Sequence, residues 1–210
     1  MERVTIEKAK ILFGNNYIGR EELLPLFKKM GLSYPDNINI PAIHYNISEL
    51  TQYSQDYVLI LGIPNLGTIK LNIENFRNYF GTDPSISEPC FYNQDWYVKE
   101  NFITQTLDSR WYLLKKTVLD DTRAVQPEAL LNKKINFPSA ILCTYTFFAY
   151  YYCRAEYLWY HDFVWCSDLD HNGDRIYVGK YHDIDGVNKN GFSIHRHLAL
   201  RPCYAAVDFK

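Results

Sequence analysis

The amino-acid sequence predicts an α+β protein, and three observations carry that class. Apolar residues recur at helical spacing through the first 88 residues, the stretch Ile141–Trp159 is apolar nearly all round, and beyond it β-patterned runs such as Arg175–Tyr181 alternate with Gly- and Asp-bearing loops. Between the halves, Asp83-Pro84 and Glu88-Pro89 make Thr82–Pro89 a break in regular structure. The expected organisation is a small helical or mixed region over 1-88 and a second unit over 89-210, whose buried helix supports a sheet.

Each element has a local reason. Thr5–Phe13 reads as a helix stopped by Gly14-Asn15-Asn16, and Ile18–Met30 as a second, with Glu21-Glu22 suited to its start, Lys28-Lys29 to its end and Gly31 beyond. The pair resembles a helix-turn-helix in spacing, but the second helix is not notably basic, which favours a packing role. Pro35–Pro41 is extended, and Ser48 is the expected cap of a short helix to Tyr53. Tyr57–Gly62 is a continuous apolar run bounded by turn residues, hence a buried strand. Asn72–Phe80 is helical, with Ile73, Phe76, Tyr79 and Phe80 on one face. A short helix is expected over Val98–Thr106, a strand over Trp111–Leu114 and another short helix over Gln126–Leu131. Pro138-Ser139-Ala140 opens the long helix, because proline suits a first helical turn.

With 47% hydrophobic and 22% charged residues in 210, the chain has ample apolar material for a core. A net charge of −2 gives no global reason to expect nucleic acid or an anionic membrane as partner. No segment is long and apolar enough to span a bilayer, and the opening MERVTIEKAK has no apolar run of signal-peptide length. The cysteines, Cys90, Cys143, Cys153, Cys166 and Cys203, are odd in number and set among apolar neighbours, which predicts buried free thiols and a cytoplasmic location.

Towards the C-terminus, Phe137-Pro138-Ser139-Ala140 opens a helix and is followed by Val164-Trp165-Cys166-Ser167-Asp168. Gly173-Asp174-Arg175-Ile176-Tyr177-Val178-Gly179, then Gly186 and a closing run from Arg196 to Ala206, complete the series. In that combination the last third of the chain resembles the variable proteins diversified by diversity-generating retroelements. The resemblance implies a C-type-lectin-like domain of the formylglycine-generating-enzyme type, with the buried helix against a twisted antiparallel sheet and a diversified ligand-binding face. It does not extend to the first 90 residues.

The residue types point the same way. Tyr160, His161, His182, Asp183, Asn188 and Asn190 lie in or beside polar loops, as do Ser193, His195 and His197. Such side chains offer broad contact area and adaptable hydrogen bonding, and loops on a rigid support are where recognition usually resides. Trp165, Tyr177 and Tyr181 complete the expected ligand-binding set. Binding of a macromolecule, protein in kind, without catalysis and without a cofactor is the expected function.

Several groups of residues would suit chemistry instead. Asp168-x-Asp170-x-Asn172-Gly173-Asp174 opens like a calcium loop, with Asp168, Asp170, Asn172 and Asp174 as oxygen ligands, but its twelfth position is Gly179 where a bidentate carboxylate is needed. A metal-free Asx turn is the stronger reading and Ca²⁺ the weaker. His195-x-His197 would place two imidazoles on one strand face as zinc ligands. Cys166 is the obvious thiol for nucleophilic chemistry, although its aromatic neighbours predict burial. Glu100 among Asp95, Asp108, Asp120 and Asp121 fits no motif. The alternative function is an intracellular metal-dependent hydrolase or nuclease using the C-terminal His/Asp cluster.

Overall fold

The computed structural model describes residues 4–34, 39–181, 191–196 and 199–210, and the fold is α+β. Most of the predicted Pro35–Pro41 stretch and of the loop after Tyr181 lies outside the described residues. Helix α1, Ile6–Phe13, starts where the Thr5 hydroxyl accepts from the Lys8 amide and stops at Gly14 (φ +50°). Helix α2, Arg20–Lys29, begins after Gly19, whose amide donates to the Glu22 carboxylate at 3.1 Å. Its buried side chains Leu23, Leu26 and Phe27 belong to the main core, and the helix packs on the long helix described below, so it acts as a packing element. Helix α3, Ile47–Tyr53, is capped two residues earlier than expected. Asn46, not Ser48, accepts from the Glu49 amide at 3.0 Å, and Glu49 returns the bond, a reciprocal box that Ser48 could not complete.

The first sheet joins β1 (Tyr17–Ile18) parallel to β2 (Tyr57–Leu61), and β2 antiparallel to β5 (Trp111–Lys115). All five residues of β2 are buried, as its unbroken apolar run predicts for a strand covered on both faces. A small hairpin, β3 (Asn65–Leu66) and β4 (Ile69–Lys70), precedes α4, Ile73–Phe80. On α4, Ile73, Phe76 and Phe80 are buried while Tyr79 is exposed. The strand β5 follows the Thr82–Pro89 break yet pairs along its whole length with β2 before it, and one apolar cluster runs from Val4 to Val207. The break is a change of course on the surface of a shared core. The short helix expected over Val98–Thr106 is a single 3₁₀ turn, Asn101–Thr104, and α5 covers Pro127–Asn132.

Helix α6, Ala140–Arg154, has its first eleven residues buried without interruption, Ala140 to Tyr150. Ser139 caps it through the Leu142 amide, and the Asp168 carboxylate takes the Ala140 amide at 2.6 Å. The helix ends five residues before the predicted Trp159. Ala155 turns left-handed (φ +58°), and the Arg154 guanidinium is drawn off to the carbonyls of Asn15 and Tyr17.

The second sheet has the order β8-β7-β6-β9, with β6 Phe163–Leu169, β7 Arg175–Tyr181, β8 Gly191–Arg196 and β9 Tyr204–Ala205. It is mixed, because β9 runs parallel to β6, so the expectation of a purely antiparallel sheet is corrected. Both faces are covered. Val164, Cys166, Ile176, Val178 and Ile194 join the main core with α6, while Trp165, Tyr177 and Tyr204 form a second core with Phe137 and Leu130. The outer edge of β8 is occupied as well: the Phe192 amide donates to the Cys90 carbonyl (2.8 Å), and the Tyr92 amide to the Phe192 carbonyl (2.9 Å). Gly191 permits that approach, since a Cβ there would lie 2.4 Å from the Tyr92 nitrogen.

Candidate functional site

The end of α6 creates a cleft. Beyond Ala155 the chain folds back, and the Tyr157 ring stacks on Tyr151 (4.7 Å between centroids) and on Tyr160 (5.6 Å). Trp159 is held at φ +50°, a left-handed conformation that bulky side chains seldom adopt. Its indole N–H is buried without a hydrogen-bond partner among the described residues. The facing wall is the exit from β5. Leu119 donates to the Ala206 carbonyl, Ala206 donates to the Thr122 hydroxyl, and the resulting 3₁₀ turn, Asp120–Thr122, presents Arg123.

Between these walls lies a cleft of about 500 Å³ lined by Lys116, Thr117, Val118, Asp120 and Arg123 on one side and Tyr157, Trp159, Tyr160, His161 and Asp162 on the other. Its charges are largely tied to one another. Arg123 grips both oxygens of Asp162 (2.5 and 3.2 Å) and one of Asp120 (2.8 Å), which holds its guanidinium firmly protonated. Lys116 donates to the Asn16 side chain at 2.9 Å. Behind the tyrosines, the Lys180 ammonium is buried 4.7 Å from the Tyr157 centroid, 5.5 Å from that of Tyr160 and 3.1 Å from Glu88. Glu88 also accepts from the Tyr157 hydroxyl at 2.8 Å, and burial followed by this carboxylate pushes that phenol far above its usual range. These contacts hold the Tyr157 and Tyr160 rings in place beside the cleft.

No protein-family model, curated protein or solved structure matches this chain.

Of the residues expected to bind ligand, the structure brings Tyr160 and His161 into the cleft together. Trp165, Tyr177 and Ser193 are corrected from displayed residues to core residues, at 0%, 4% and 0% exposure. The reason is the second apolar cluster: with both faces of the sheet covered, alternation along β6 and β7 moves a side chain from one core to another. Tyr181 ends β7. His182, Asp183, Asn188, Asn190 and His197 lie outside the described residues. His195 lines a smaller pocket of about 300 Å³ with Phe163, Tyr177, Arg201, Cys203 and Tyr204, stacked on Tyr177 at 5.4 Å. Burial, then Arg201, lowers its pKa to about 4.

Two of the expected calcium-loop acids have other partners. Asp168 serves the α6 N-terminus, whereas Asp170 folds the hairpin turn by accepting from the Asn172 and Asp174 amides, both at 2.8 Å. Burial opposes ionisation of Asp170, but those two amides and Arg196 outweigh it and hold its carboxyl below the ordinary range. Burial raises Asp168 instead. Asp170 does meet other ligating groups: Glu100 and His171 approach it, with one atom from each within 4.8 Å of the others. Cys166 is fully buried and its thiol is pushed well up by burial and by Cys143, which makes it inert as a nucleophile.

Tyr157, Trp159 and Arg123 are cleft residues that the sequence did not mark. The signal for the first two was the dense run Tyr157-Leu158-Trp159-Tyr160-His161 just after Ala155-Glu156, masked by reading the helix through it. Arg123 is brought there by chain reversal alone.

Proposed function

We propose that this protein is a non-catalytic binding protein, on a C-type-lectin-like scaffold in its C-terminal third, whose recognition surface is centred on the cleft between 116–123 and 157–162. The observation that carries the reading is the arrangement of Tyr157, Tyr160 and His161 on a short turn around the buried, left-handed Trp159, with Lys180 against both tyrosine rings and Glu88 bonded to Tyr157. Rigid aromatic side chains bind at small entropic cost, and backbone strain concentrates where function requires a fixed shape. Arg123, Asp120 and Asp162 are engaged in ion pairs with one another, so they offer a partner's polar groups oriented hydrogen bonds and little uncompensated charge. A protein segment that inserts an aromatic or aliphatic side chain and places backbone amides against Asp120 and Asp162 suits this surface.

The test is affinity capture with mass-spectrometric identification of the partner, followed by direct titration of that partner. Y160A/H161A is expected to weaken binding by at least about tenfold, the scale of an interface hot spot, while keeping the melting temperature. The exposed Ile86→Ser, on the 82–89 segment, serves as a control. Retention of full affinity by the double variant would remove the cleft from the interface. A second reading, metal-dependent hydrolysis, draws on the convergence of Glu100, Asp170 and His171, and turnover that requires a bound metal would put it first.

A further inference from the structure

Glu100 closes the turn that begins at Tyr97, and Asp170 and His171 start the turn of the β6–β7 hairpin, 70 and 71 residues further along. The Glu100 side chain is 8% exposed, and among the described residues its oxygens are engaged by His171, through the backbone amide at 3.0 Å and through Nδ1 at 2.5 Å. The Asp170 side chain is fully buried. One of its oxygens holds the two turn amides, and the other has Arg196 at 3.4 Å, long for a charge-assisted bond. Arg196, which also lies 5.4 Å from the Trp96 ring, is paired with Asp170 and not, among the described contacts, with Glu100. Among the described residues, the charge opposite Glu100 is the His171 imidazole, which is cationic solely when protonated. Buried carboxylates without a permanent counter-charge are costly, and a divalent ion is the usual remedy.

We propose that Glu100, Asp170 and His171 form a Zn²⁺ site. One imidazole nitrogen and two carboxylate oxygens are a donor set that zinc accepts, with a fourth, water-filled position at the exposed side of His171, whose ring is 66% accessible. Calcium and magnesium prefer all-oxygen shells of higher number and match it poorly. The ion would staple the 97–104 segment to the β6–β7 hairpin, joining the N- and C-terminal parts of the chain. The site is separate from the aromatic cleft, and its test does not depend on that reading.

The experiment uses the untagged full-length chain, stripped with chelator and then dialysed against Zn²⁺, with metal content read by mass spectrometry and affinity by competition with a chromophoric chelator. About one zinc per chain is expected, with a higher melting temperature than the stripped protein and no displacement by a hundred-fold excess of Ca²⁺ or Mg²⁺. E100Q and H171A should each weaken binding by at least about tenfold, and His44→Ala, an exposed histidine elsewhere, should leave it unchanged. Because His171 is exposed, its replacement spares the core, so H171A decides the matter even if E100Q fails to fold. Zinc-free wild-type protein after dialysis, or undiminished affinity in H171A, would overturn the proposal and leave the cluster as a carboxylate–imidazole clasp balanced by Arg196.

Discussion

Acid should destabilise this fold through His195. The imidazole packs between Phe163 (5.6 Å) and Tyr177 (5.4 Å), with Arg201 nearby, and its pKa falls from 6.5 to about 4. In the folded state it stays neutral; once the chain unfolds it takes up a proton below 6.5. Stability is therefore complete above that value and declines as the pH drops towards about 4. Each decade of proton affinity is worth about 1.4 kcal/mol, so the full loss is about 3 kcal/mol and the loss at pH 5 about 2 kcal/mol. Both are upper values, because solvent at the pocket rim screens part of the penalty. The assay is urea unfolding at pH 7.5 and pH 5 for the wild type and for H195F, which keeps a ring against Tyr177 without a titrating nitrogen. Contributions from His44, Asp168 and other groups are common to both proteins and cancel in the difference. Equal losses of stability in the two, or a His195 NMR titration near 6.5 in the folded protein, would refute the reasoning.

Two further outcomes follow from packing. Gly179→Ala should destabilise by about 1–3 kcal/mol, measured by chemical denaturation, because the added Cβ would sit 2.3 Å from the Asp162 carbonyl oxygen and 2.9 Å from the Phe163 ring; an unchanged midpoint would show that the β6 entry yields freely. The fully buried thiols Cys90, Cys143 and Cys166 should resist an aromatic disulfide reagent in the native protein, with all five cysteines titrating after denaturation; rapid native reaction of Cys166 would contradict its burial and its raised pKa.

Local chemistry was legible where one segment contains its own explanation. Thr5 and Gly14 bound the first helix, the run Tyr57–Leu61 became a central strand, and Arg175–Tyr181 became a strand with the predicted ends. The cleft was half legible: Tyr160 and His161 stood out as contact-forming residues, whereas Arg123 and Asp120 come from a turn some forty positions earlier and join them only through folding.

Composition and periodicity determined that the chain is α+β with ample core material and where most of its helices and main strands fall, because those depend on neighbours within a few residues. Which side chains reach solvent depended on layers. The face of the second sheet that carries Trp165 and Tyr177 looked fit for display until α5 and the 119–137 segment were seen to cover it. A strand has two faces and its sequence can mark both as apolar or aromatic, but whether each meets water or protein is a property of what packs against it.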